Sequence, residues 1–488
     1  MPVRGLGFNC WIGAMENSKA FSLKNLGLGC LLTAAVSGCS EFDSSFAYSA
    51  KTESLIAEAQ DGTDAAPGVK PTLDSRFDNP QQLKAWLKLP VEWGGASARV
   101  EAVASTDTEI RIRFTPEEGK SLPTEAGSVQ FITGEGAGQT VAITKWDAQT
   151  GEAVLASLPE KSPASGDLCA IDGGAALQSG RVLYMRHCSH CHGTAGDGKG
   201  PTAEYLNPKP RDYRHGVFKF TSTNDQSKVS REDLLRVLKY GIPGTYMPSF
   251  LLMKDEELHA IVEYVRFLAM RGEYERKLVN ELASDYSEKS VSDRLKDEKR
   301  SDIVQELNEF LKDEFPATAD SLGDELGEVW TAADTEDAKI IPSVPRVPDS
   351  PESRRRGRAL YLSSTLNCAD CHGIDGAGNG PQTLAFEKNP VSGELYKEAG
   401  LHDEWDNLNQ PRNLQRGIFR GGRRPIDLFC RIHAGIKGSR MPSVKNTPHE
   451  DIWHIVNYLL SLQFESEPGA IAAAPAAAAE AAPAAAGD

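Results

Sequence analysis

Cys188-Ser189-His190-Cys191-His192 and Cys368-Ala369-Asp370-Cys371-His372 are two copies of one pattern, Cys-x-x-Cys-His, each followed by glycine. The chain's own Cys and His frequencies give roughly 0.003 such matches by chance. On a helical turn the pattern offers two thiols, which add across the vinyl groups of a haem, and an imidazole to ligate its iron. Cys188, Cys191, Cys368 and Cys371 are therefore expected to attach two covalently bound haem c groups. His192 and His372 are the expected proximal ligands.

Around the pentapeptides the chain repeats itself. Gly180-Arg181-Val182-Leu183-Tyr184 precedes the first motif and Gly357-Arg358-Ala359-Leu360-Tyr361 the second. Gly-rich stretches ending in Pro201 and Pro381 follow. Pro210-Arg211 then leads to Gly216-Val217-Phe218-Lys219, as Pro411-Arg412 leads to Gly417-Ile418-Phe419-Arg420. Helical patterns run into Met247-Pro248 and Met441-Pro442. Amphipathic helices close both units, with Leu258, Ile261, Val262 and Val265 in one and Ile452, Ile455, Val456 and Leu459 in the other. The second unit has a longer insertion between Pro381 and Pro411.

A centre that only carries electrons needs a second ligand on the far side of the iron. Met247 and Met441, two of seven methionines, hold matching positions in a loop after a helix. A thioether is a soft neutral donor that stabilises ferrous iron, so both are expected axial ligands. The bland alternative for either is a core gap-filler. His215, His402 and His433 have no repeat counterparts and read as surface or core residues, and His187 and His190 as exposed neighbours. Arg211 and Arg412 are candidates for haem propionates or backbone carbonyls.

These features resemble class I (mitochondrial-type) cytochrome c over residues 173–270 and 351–464. The resemblance implies that the first and last helices of each unit cross at a glycine and an aromatic, here Gly180 with Tyr264 and Gly357 with Tyr458. It also implies that the Gly-Pro carbonyl, at Pro201 and Pro381, holds the proximal imidazole. The second unit departs by three extra residues between Tyr361 and Cys368, which leaves the approach of its first helix open.

The expected architecture is multidomain: two all-α cytochrome c domains, an N-terminal small all-β domain and a helical linker. Residues 1–39 read as a lipoprotein-type signal peptide, with Lys19 and Lys24 before an apolar run and Val36-Ser37-Gly38 before a lipidated Cys39. Met15 as start would give a signal of conventional length. Residues 40–85 read as a flexible tether and 86–172 as a small β domain, a barrel or sandwich, because Ile110, Ile112 and Phe114 alternate with arginine. The cytochrome domains occupy 173–272 and 351–465. Between them, 273–350 reads as an acidic helical and Pro-rich linker, and 466–488 as a disordered Ala/Pro tail.

A net charge of −16 argues against nucleic acid. The expected function is single-electron transfer in a respiratory chain outside the cytoplasm, on the periplasmic side of a membrane reached through the lipid anchor. Expected partners are redox proteins: a quinol-oxidising complex, a dehydrogenase or a terminal oxidase. Two alternatives stand beside this carrier role. A dihaem cytochrome c peroxidase would need one iron open to peroxide. An electron-transfer subunit of a larger respiratory oxidoreductase would use the β domain for docking.

Overall fold

The computed structural model describes residues 46–49, 52–53 and 66–464, apart from 81, 85, 87, 107–108, 137–138, 158, 160 and 391. The signal with Cys39 and the Ala/Pro tail lie outside the described residues.

Alternation of apolar and charged residues sends every second side chain to one face of a strand. Strands β1 (Ala96–Ser105), β2 (Ile110–Pro116), β3 (Ser128–Phe131), β4 (Thr140–Asp147), β5 (Glu152–Leu155) and β6 (Leu168–Ile171) turn those faces onto one interior. They pair antiparallel in the order β1-β2-β5-β4-β3-β6, and β6 pairs back onto β1 to close a barrel. Closure leaves no unpaired sheet edge. Val100, Ile112, Phe114, Val129, Phe131, Cys169 and Ile171 fill the inside. The β4–β5 turn needs a glycine, because a Cβ on Gly151 (φ +68°) would fall 2.2 Å from Phe114 O.

The longer helices outside the barrel are α1 (Ala66–Phe77), α2 (Ala175–His187), α3 (Arg231–Tyr240), α4 (Asp255–Tyr286), α5 (Glu288–Arg294), α6 (Arg300–Glu309), α7 (Phe315–Ala332), α8 (Pro351–Tyr361), α9 (Pro425–Ala434) and α10 (His449–Ser461). Local chemistry sets several starts. Ser230 accepts from Asp233 N at the head of α3, and Ser350 accepts from Ser353 N at α8, where Pro351 takes the first turn.

The tether expectation fails for residues 66–77. Val69, Leu73 and Phe77 form a narrow stripe on α1 and are fully buried, with Phe77 5.6 Å from Phe267 and 6.0 Å from Tyr274 between ring centres. The stripe is interrupted by Pro71 and is apolar on too few positions to stand out in sequence; α4 supplies the partner surface.

Nor does the first helical unit stop at residue 272. Helix α4 runs on for 32 residues, about 48 Å at 1.5 Å per residue. Residues 303–330 pack on it: Tyr274 OH donates to Ala319 O at 2.8 Å, and Trp330 Nε1 donates to Glu273 Oε2 at 3.0 Å. Ile303, Leu307, Leu326 and Trp330 share one core with Leu258 and Phe267. The proline run is extended but not free-standing. Trp453 Nε1 donates to Val344 O at 3.1 Å and Asn457 Nδ2 to Val347 O at 3.0 Å, binding it along α10.

Cys169 and Cys430 are buried and in no disulfide. Burial raises the Cys169 thiol to about 12 and the Cys430 thiol to about 11. Since only thiolate reacts, alkylation of both in the folded protein at pH 8 should be slower than for an exposed cysteine by at least about a hundredfold. Peptide mapping after iodoacetamide checks this, and rapid labelling of either contradicts it.

Candidate functional site

Each haem-type motif occupies a single helical turn, Ser189–His192 one residue after α2 and Cys368–His372 six residues after α8. The turn is fastened the same way in both units. Tyr184 OH donates to Gly193 O at 2.7 Å, and Tyr361 OH to Gly373 O at 2.6 Å. The longer helices α2 and α8 cross α4 and α10 in near contact. A Cβ on Gly180 would lie 2.0 Å from Ala260 O, and one on Gly357 2.0 Å from His454 O. Tyr184 and Tyr264 rings meet at 5.2 Å, Tyr361 and Tyr458 at 5.4 Å. The three extra residues of the second unit are absorbed after α8, where Asn367 takes a left-handed conformation (φ 51°). The crossing itself is unchanged.

The imidazoles are half-buried, and their desolvation lowers the His192 pKa to about 4 and shifts His372 down as well. Both are neutral at pH 7. Their Nδ1 atoms lie 3.4 Å from the carbonyls of Arg211 and Arg412. With Nδ1–H donating, Nε2 keeps its lone pair for a metal. The expectation for Pro201 and Pro381 is thereby corrected. The holding carbonyl belongs to the residue after Pro210 and Pro411, whereas Gly-Pro closes the motif turn: Gly200 N donates to Cys191 O at 3.2 Å and Gly380 N to Cys371 O at 3.1 Å.

The methionine loops match atom for atom. Ile242 N donates to Met247 O, and Ile436 N to Met441 O, both at 3.1 Å. Thr245 and Ser439 hydroxyls each donate to the isoleucine carbonyl at 2.7 Å. Glycine is required at the head of each loop, since a Cβ on Gly241 or Gly435 would come within 2.7 or 2.6 Å of the methionine carbonyl.

These parts converge on two cavities. One, of about 250 Å³, brings together Cys188, Cys191, His192 and Met247; the other, of about 320 Å³, brings together Cys368, Cys371, His372 and Met441. Apolar side chains line most of the remainder, including Leu234, Leu238 and Val265 in the first and Leu428, Ile432 and Leu459 in the second. Two soft thiols, one lone-pair nitrogen, one thioether and an apolar wall fit a haem c. All four cysteines are unpaired thiols.

Several contributors were not singled out from sequence. Tyr213 stacks on His192 at 4.8 Å, and Phe218 stacks on Tyr213 at 5.7 Å. The insertion in the second unit delivers Trp405, on whose ring Arg211 lies at 3.6 Å, and Asp403, which pairs with Lys219 at 3.1 Å. His402 is a core residue, stacked on Tyr396 at 3.7 Å. His187 and His190 line the first cavity.

The two units meet face to face. A Cβ on Gly244 would sit 3.1 Å from Ile418 Cγ2, and one on its counterpart Gly438 3.2 Å from Val217 Cγ1. Val217 and Ile418 are themselves repeat counterparts, so the contact is the same from both sides. Lys219, Phe220 and Arg420 form a wall common to both cavities.

Residues 175–265 match the family model described as cytochrome c oxidase, cbb3-type, subunit III, and residues 355–463 match that of cytochrome c. No curated relative matches the chain. A chain of the Kuenenia stuttgartiensis reducing HAO-like protein complex shares 20% identity at a TM-score of 0.39, covering 58% of this chain and 96% of its own. The protein thus carries two cytochrome c-type domains in tandem, which imply haem c as cofactor and electron transfer as chemistry.

Proposed function

We propose that this protein is a dihaem c-type cytochrome that passes single electrons between redox proteins outside the cytoplasm. The observation that carries this reading is that each cavity joins a Cys-x-x-Cys-His turn to a methionine from a distant loop. Bound there through Cys188, Cys191, Cys368 and Cys371, each haem supplies an iron that alternates between ferrous and ferric states. His192 and His372 offer Nε2 from one side because the Arg211 and Arg412 carbonyls engage Nδ1. Met247 and Met441 offer sulfur from loops that share the same backbone hydrogen bonds. A haem held by His192 and Met247, or by His372 and Met441, would have no position left for peroxide, which favours a carrier over a peroxidase. The paired helices and crossing glycines support an all-α cytochrome fold for both units. The common wall supports passage of an electron from one centre to the other within the chain.

Export follows from the chemistry, since covalent haem attachment demands an exported chain. The apolar run and Cys39 support a lipid anchor on the periplasmic side, with a quinol-oxidising complex, a dehydrogenase or a terminal oxidase as partners. The test is direct. Mass spectrometry of the denatured holoprotein should retain two haems, and the oxidised protein should be low-spin without peroxide turnover. A high-spin centre with peroxide turnover overturns the carrier reading.

A further inference from the structure

The wall between the cavities is rich in cations, but most of them are balanced by protein. Lys219 pairs with Asp403, and Arg211 lies on Trp405. Arg431 donates to the carbonyls of Arg420 and Gly422, and Arg440 pairs with Glu387 at 3.2 Å. Arg412 and Arg420 differ. The Nε of each is buried with no hydrogen-bond partner, and among the described residues neither guanidinium has an acceptor or a carboxylate. The two are also close enough to repel: burial first, then Arg412, lowers the Arg420 pKa to about 10. Two like charges side by side in this wall call for an anion that the described residues do not provide. Arg412 faces the second cavity alone, whereas Arg420 faces both.

We propose that Arg420 is a shared cation, whose guanidinium pairs with a haem propionate at the wall and biases both redox centres at once. The proposal rests on the dihaem reading above. Position 420 is the repeat counterpart of Lys219, so the fold puts a cation on each side of the wall. Among the described residues, Lys219 has a carboxylate partner in Asp403 and Arg420 has none. A positive charge near a centre favours the reduced form, which carries one more electron. A charge seen from both cavities therefore raises both potentials, although it sits on one domain.

The experiment is potentiometric titration of holoprotein carrying Arg420→Gln. It is made in wild type and in two single-haem backgrounds, Cys188→Ala/Cys191→Ala and Cys368→Ala/Cys371→Ala. Both midpoint potentials are expected to fall, each by about a tenfold change in the reduced-to-oxidised ratio, equivalent to 59 mV for one electron. Arg420→Lys should restore them toward wild type. Arg440→Gln, which lines only the second cavity, should move one potential. A shift confined to one centre with Arg420→Gln, or no shift, overturns the proposal. If a single-haem background does not fold, the two one-electron steps of the wild-type background give the same reading. Failure of the dihaem reading would show separately, as a wild-type mass without two haems.

Discussion

Oxidised Met247→Ala and Met441→Ala proteins should each lose about half of the Met–iron charge-transfer absorption of wild type, and the double variant all of it. The reasoning is positional. Met247 and Met441 lie in loops with the same hydrogen bonds, and each lines the cavity of its own unit's histidine. Truncation to alanine removes the thioether but leaves Gly241 and Gly435 to shape the backbone. Without sulfur the ferrous state loses its preferred donor, so the affected potential should drop. A fall on the order of 0.1 V sits well within the roughly 0.8 V over which axial ligands set haem potentials. Both haems should stay attached, because the cysteines are untouched. An unchanged spectrum in either variant would show that the methionine only fills space.

Gly180→Val and Gly357→Val should be the most destabilising single changes in their units. At both positions even a Cβ would lie 2.0 Å from a backbone carbonyl of the crossing helix, and a backbone atom cannot rotate away. The helices must part, taking with them the Tyr184–Tyr264 or Tyr361–Tyr458 contact. Overpacking of this kind costs about 1–3 kcal/mol, and the forced separation places these sites at the upper end. Against a total of roughly 5–15 kcal/mol, that is a large share. Gly393→Ala serves as control: its φ is +72°, yet nothing lies within 4 Å of its Cβ, so only local backbone strain of about 1 kcal/mol is expected. Chemical denaturation of the holoproteins distinguishes the cases. A Gly357→Val protein as stable as the control would remove the close crossing from the account.

Much of this was legible because its signals are local. A Cys-x-x-Cys-His turn, a glycine four residues before an aromatic, and a methionine before proline are short patterns, and their recurrence in order marks a repeated unit. Alternation of Ile112 and Phe114 with arginine likewise announces strands. Other features had no local signal. Helix α1 reads as tether because Val69, Leu73 and Phe77 form a narrow stripe around a proline; its partners, Phe267 and Tyr274 on α4 together with Trp86, come from elsewhere in the chain. The carbonyl beside each imidazole lies further along the chain than the Gly-Pro expectation, at Arg211 rather than Pro201 and at Arg412 rather than Pro381. Any loop carbonyl is chemically adequate, and chain geometry alone selects Arg211 and Arg412.

The sequence by itself marked out the candidate chemistry: two Cys-x-x-Cys-His sets, each with its own methionine at a matching repeat position. Covalent attachment and ligation depend on residue type and close spacing, both written in the chain. Only the tertiary structure decided how the two sets relate. That Trp405 and Asp403 from an insertion reach Arg211 and Lys219, and that Arg420 faces both cavities with no counter-charge among the described residues, depends on contacts across about 200 residues. Charge balance in a desolvated wall is a property of what surrounds a residue in space, which no spacing along the chain records.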